Sequence, residues 1–108
     1  MSVIKSQEER SNIIYIAGPM TGLEEFNFPA FDAAAAKFEE LGYEVKNPAE
    51  HGVVEGATWE DYMAFDLTQL GQCGAIYMLN GWQMSRGACL EQLIAERLGM
   101  KVIYEDRV

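Results

Sequence analysis

Short apolar runs alternate along this chain with longer stretches in which apolar residues recur every three or four positions. "NIIYIAG", residues 12–18, is apolar and β-branched, and Gly18-Pro19 stops it, so it reads as a buried strand. "FPAFDAAAAKFEELG", residues 28–42, has Pro29 near its start and Gly42 just past its end. Phe31, Ala34, Ala35, Phe38 and Leu41 form one stripe of this predicted helix. "YEVKNP", residues 43–48, reads as a second strand ended by Asn47-Pro48, and "HGVVEGA" as a loop. Thr58-Trp59-Glu60-Asp61 has the pattern of a capped helix start. That helix is expected to run to about Gln72, with Met63, Leu67 and Leu70 inward. "GAIYML", residues 74–79, is the third strand, and "KVIYED" the fourth. Between them, "MLNGWQMSRGACLEQLIAERLG" passes from strand through turn to amphipathic helix.

The order β-α-β-α-β-α-β implies a parallel sheet with right-handed crossovers. The expected fold is an α/β three-layer sandwich, a flavodoxin- or Rossmann-like sheet of four to five strands with helices on both faces. Such sheets bind ligands at the carboxyl ends of their strands. Gly18 to Gly22 and Asn80 to Gly87 fall there, and Asn47 to Gly52 is a third candidate.

At 108 residues and 49% hydrophobic content, the chain has material for one domain and a core. "MSVIKSQEER" is polar and unpatterned, so a flexible tail is expected over residues 1–11 and a single domain over 12–108. The tail lacks the apolar core of a signal peptide, and no segment reaches the roughly 20 apolar residues of a bilayer span. A net charge of −9 argues against duplex nucleic acid or an anionic membrane as partner. A mononucleotide is still allowed, since helix-end amides and one arginine hold a single phosphate. Cys73 and Cys89 form neither a CxxC pair nor a disulfide framework, which points to free thiols in a reducing cytoplasm. With one histidine, the chain is poor material for a metal site.

"GPMTG" has neither the lysine of a P-loop nor the G-x-G-x-x-G of a dinucleotide fold, and Gly18-Pro19 would equally serve just to end a strand. The start of the third helix offers more. Ser85 supplies a hydroxyl, Arg86 a fork of donors and Gly87 a bare backbone, a credible cradle for a monophosphate. A plain serine cap beside a solvated arginine is the alternative. Glu91 lies one turn further on, where the helix dipole is expected to hold it ionised. Asp66 falls among Met63, Leu67 and Leu70 on the inward side of the second helix. Two inward acids cost several kcal/mol to bury unless paired or used. Together at a ligand edge they favour a two-carboxylate site of the kind retaining glycosyl transfer uses.

The chain resembles the nucleoside 2-deoxyribosyltransferase superfamily, particularly its small phage and bacterial branch, and the related 2′-deoxynucleoside 5′-monophosphate N-glycosidases. The likeness spans Asn12 to Tyr104 and rests on Tyr15-Ile16-Ala17-Gly18-Pro19, Asp66, Gly81-Trp82 and, most specifically, Ser85-x-Gly87-x-x-x-Glu91. The resemblance implies that Glu91 attacks C1′ of a deoxyribose and forms a covalent glycosyl-enzyme, while Asp66 orients or protonates the departing base. It implies phosphate binding by Ser85 and the amides around Gly87, with Arg86 assisting. Tyr15 and Trp82 would pack on base or sugar, beside the Gly18-Pro19-Met20 loop, with plain core packing the alternative for Tyr15. It implies no cofactor, no metal and a homo-oligomer. Many members have an aspartate where this chain has Gly74, a loss expected to disturb loop and base, and Asn80 stands where proline is frequent in this branch. A non-catalytic nucleotide-binding module and an acidic protein-interaction domain stay open as alternatives. His51, in the loop, receives no role.

Overall fold

The computed structural model of the protein describes residues 2–105. Four strands alternate with three helices. They are β1 (Ile13–Ala17), α1 (Phe28–Glu40), β2 (Glu44–Lys46), α2 (Trp59–Leu70), β3 (Ala75–Met78), α3 (Arg86–Arg97) and β4 (Lys101–Tyr104). Asp106, the expected end of the last strand, lies outside the described residues, as does the rest of the expected domain's carboxyl end.

All strand pairs are parallel, in the order β2-β1-β3-β4. Alternation along each strand divides the sheet into two apolar faces. Ile14, Ile16, Ala75, Tyr77 and Leu79 face α1, through Phe31, Ala34 and Phe38. Tyr15, Ala17, Ile76 and Met78 face the opposite way, toward Leu70 and Cys73 at the end of α2 and Ala88 and Ala95 of α3. The result is the expected three-layer α/β sandwich, with four strands. Among the described residues no helix is long and apolar enough to cross a membrane.

Local chemistry sets the helix ends. Thr58 Oγ1 accepts from the Asp61 amide at 3.1 Å while Asp61 Oδ2 accepts from the Thr58 amide at 2.9 Å, the reciprocal capping box. Ser85 caps α3 by accepting from the Ala88 amide at 3.1 Å. Gly42, at φ 94°, turns the chain out of α1. Leu41 departs from the expected stripe: as the cap residue it is 65% exposed, because the backbone leaves helical geometry there. The second helix stops at Leu70, two residues short of the expected Gln72.

The segment expected to be a tail carries hydrogen-bonded turns from Ser6 onward. The Arg10 amide donates to Ser6 O at 3.2 Å, and Gln7 Nε2 donates to Gly74 O at 2.8 Å. A Cβ at Gly74 would lie 2.4 Å from the Arg10 carbonyl oxygen, so only glycine lets this segment cross the amino end of β3. Gly74 is therefore at the sheet edge opposite the one where ligands bind.

Candidate functional site

The strand order reverses direction between β1 and β3, and the loops leaving their carboxyl ends diverge there. A Cβ at Gly18 would meet Leu79 Cβ at 2.7 Å, so glycine lets the β1 loop pack on the end of β3. Asn27 Nδ2 then pins that loop by donating to Pro19 O at 3.0 Å. Between the loops and the first turns of α2 and α3 opens a cavity of about 470 Å³. Tyr15, Gly18, Pro19 and Met20 line it from β1 and its loop. Ser85, Arg86, Gly87 and Glu91 line it from α3, and Asp66 from α2.

Glu91 is 6% exposed and Asp66 8%. The Tyr15 hydroxyl donates to Glu91 Oε2 from the neighbouring strand. Burial pushes the Glu91 carboxyl up to about 8; the Tyr15 hydroxyl opposes that rise and the charge of Asp66 adds to it. This corrects the expectation of a dipole-ionised carboxylate. Glu91 is the sixth residue of α3, beyond the first turn where the dipole acts, so desolvation wins. Tyr15 itself is raised well above its ordinary value by burial, then by Glu91 and Asp66.

Asp66 is raised by burial and pulled back by His51. His51 Nε2 lies 3.3 Å from Asp66 Oδ1, and its Nδ1 lies 2.8 Å from the Gly52 carbonyl. A carbonyl only accepts, so Nδ1 carries a proton and Nε2 turns its lone pair, or a second proton, to the carboxyl. Neither Nε2 nor Oδ1 has a well-aligned hydrogen bond. The imidazole is held against Tyr62, at 5.2 Å between ring centroids, and Phe65, at 6.0 Å. His51 was legible only through its position after the carboxyl end of β2. Among the described residues no group of three or more His, Cys, Asp or Glu side chains is placed to hold a metal ion.

At the mouth, the Arg86 guanidinium sits 3.5 Å above the centre of the Trp59 ring. Among the described residues no acid lies within salt-bridge distance of it. Gly87 has a packing reason to be glycine, since a Cβ there would meet Met63 Sδ at 3.1 Å and Trp59 Nε1 at 3.6 Å. Trp82 is the named residue that does not reach the cavity. Gly81, at φ 86°, turns the chain so that Trp82 packs beside Tyr104 at 5.7 Å over the core under α3. Trp59 lines the cavity instead, placed there as the first residue of α2. Phe26 and Phe28 complete an aromatic wall, and Glu25, Phe26 and Asn27 all adopt positive φ between 52° and 61° to bring them there.

The geometry thus offers two nearly buried carboxyls, one accepting from Tyr15 and one beside His51, at the floor of an aromatic cavity with the Trp59-stacked Arg86 guanidinium at its mouth. No curated protein matches the chain. Residues 12–104 match the family described as a domain of unknown function, DUF4406, and the chain belongs to that family.

Proposed function

We propose that the protein cleaves the N-glycosidic bond of a 2′-deoxynucleotide or 2′-deoxynucleoside, by hydrolysis or transfer, through a covalent glycosyl-enzyme on Glu91. The observation that carries this reading is the convergence of Glu91 and Asp66, from different helices, on one cavity at the carboxyl edge of the sheet. In its ionised form Glu91 attacks C1′, and the Tyr15 hydroxyl stabilises the carboxylate and orients it. Asp66, its carboxyl raised by burial and with His51 Nε2 3.3 Å away, protonates the departing base. The aromatic wall accepts the flat base, and Arg86 with Ser85 favours a 5′-phosphate at the mouth. This chemistry calls on no cofactor. Excess negative charge disfavours nucleic-acid duplexes and anionic membranes as partners. The two free thiols suit a cytoplasmic setting.

Gly74 lends a non-catalytic binding module no support, because it lies at the far edge of the sheet and serves the Arg10 crossing. The test is a chromatographic assay for free base, offering deoxynucleosides, their 5′-monophosphates and ribose counterparts to wild type and Glu91→Ala. Base release by wild type alone is the expected result. Release by both proteins, or by neither, would sink the reading.

A further inference from the structure

Among the described residues, only three positions other than glycine have positive φ, and they are consecutive: Glu25 at 52°, Phe26 at 53° and Asn27 at 61°. Asparagine tolerates a left-handed backbone, but glutamate and above all a bulky phenylalanine adopt it at a cost. The core gives no reason for that cost, since none of residues 24–27 is buried. Strained backbone of this kind persists only where its surroundings hold it, and it gathers at ligand clamps. Here the Phe26 amide donates to Leu23 O at 3.0 Å, and Asn27 Nδ2 donates to Pro19 O at 3.0 Å. The Phe28 amide donates to Glu25 O, and at Phe28 the backbone returns to right-handed geometry and α1 begins. What the turn achieves is the position of one ring. Phe26 lines the cavity and rests against Phe28 at 5.7 Å between centroids, yet it is 47% exposed. It therefore keeps an aromatic surface uncovered at the cavity mouth.

We infer that the left-handed turn at Glu25–Asn27 is a clamp that holds the Phe26 ring at the cavity mouth to stack on a nucleobase. Phe26 is thereby a binding residue, and the turn's geometry, not its side chains at Glu25 and Asn27, is what serves the ligand. A flat heterocycle is the occupant that an uncovered aromatic ring fits, and stacking of this kind accepts any base. The inference takes its ligand class from the reading above and needs only that a nucleotide enters the cavity, whether or not its glycosidic bond is then cleaved.

The test is calorimetric binding in a Glu91→Ala background, which blocks turnover. The probes are the common 2′-deoxynucleoside 5′-monophosphates and deoxyribose 5-phosphate, which has no base. Phe26→Leu keeps apolar bulk and removes the ring. It should weaken the tightest nucleotide about tenfold, the scale of one lost base–aromatic stack, with deoxyribose 5-phosphate bound as before. Phe26→Tyr should restore the affinity. Glu25 lines no part of the cavity, so changes there act through the backbone. Glu25→Pro, whose ring fixes a negative φ, should lose as much affinity as Phe26→Leu. Glu25→Gly, which takes a left-handed backbone without strain, should melt at or above its parent and bind at least as tightly. Phe26→Leu and Glu25→Pro should both melt within a few degrees of the parent, because the turn buries no residue. A large drop in either, or a lower melting point for Glu25→Gly, would make the turn part of the fold's stability and overturn the clamp. Unchanged nucleotide affinity in Phe26→Leu would overturn it too, as would an equal loss for deoxyribose 5-phosphate, the mark of a deformed cavity. If no nucleotide binds, the clamp falls. If nucleotides bind through Phe26 but wild type releases no base, the clamp stands and the glycosidic reading falls.

Discussion

Tyr15, in the central strand β1, donates its hydroxyl proton to Glu91 on α3, and both groups are buried in the floor of the cavity. The bond joins the sheet to the helix and is the largest influence opposing the desolvation of Glu91. Tyr15→Phe should therefore leave the core filled while raising the Glu91 carboxyl further. With a charged hydrogen bond contributing about 1.5–3 kcal/mol, base release at pH 7 should fall by roughly 10- to 100-fold. A loss of less than threefold would remove Tyr15 from the mechanism.

The pH dependence of kcat/KM should show Glu91 directly. If the attacking form is the carboxylate, the group titrates at about 8 and Asp66 keeps the proton it gives to the base, the rate should rise about tenfold between pH 7 and pH 9. Loss of the Asp66 proton should then turn the profile down. Tyr15→Phe should shift the rising limb to higher pH. A profile flat from pH 6 to pH 9 would argue against Glu91 as nucleophile.

Stability should follow the same group with the opposite benefit. Its value is about 8 in the folded protein against an ordinary 4.5, so the unfolded chain releases this proton first as pH rises. The favourable contribution is complete below pH 4.5 and is lost progressively up to about pH 8. Glu91→Gln removes that loss, and relative to wild type it should gain up to about 5 kcal/mol between pH 4.5 and pH 8. Urea unfolding of both proteins at the two pH values measures it. A constant difference would contradict the burial-driven shift.

Gly74→Asp would place an acid at a position where a Cβ falls 2.4 Å from the Arg10 carbonyl oxygen. It should destabilise the fold by about 1–3 kcal/mol, as overpacking does, and should not raise activity. A more active Gly74→Asp protein would show that the amino edge of β3 does influence the site.

Much of the fold was legible because period-2 and helical patterning, caps and glycines are local properties. "NIIYIAG" and "GAIYML" were recognisable as buried strands, and Thr58 through Asp61 as a helix start, since each carries its own signal. Glu91 and Asp66 stood out for a related reason: an acid among apolar positions is a local contradiction. Other assignments depended on what the chain meets in space. Trp82 and Trp59 look equally available in sequence, and a single positive-φ glycine sends the first to the core under α3 while the capping box leaves the second at the mouth.

The sequence by itself determined the β-α alternation, the inward placement of two carboxyls and the capped start of α3, because those follow from spacing along the chain. Tertiary structure alone decided that Tyr15 is the partner of Glu91, that His51 is the partner of Asp66, and that Gly74 serves the opposite edge. It also decided the protonation of Glu91. The dipole that a helix start offers is a local effect and fades within a turn, whereas the desolvation that overrides it comes from strands and helices distant in sequence.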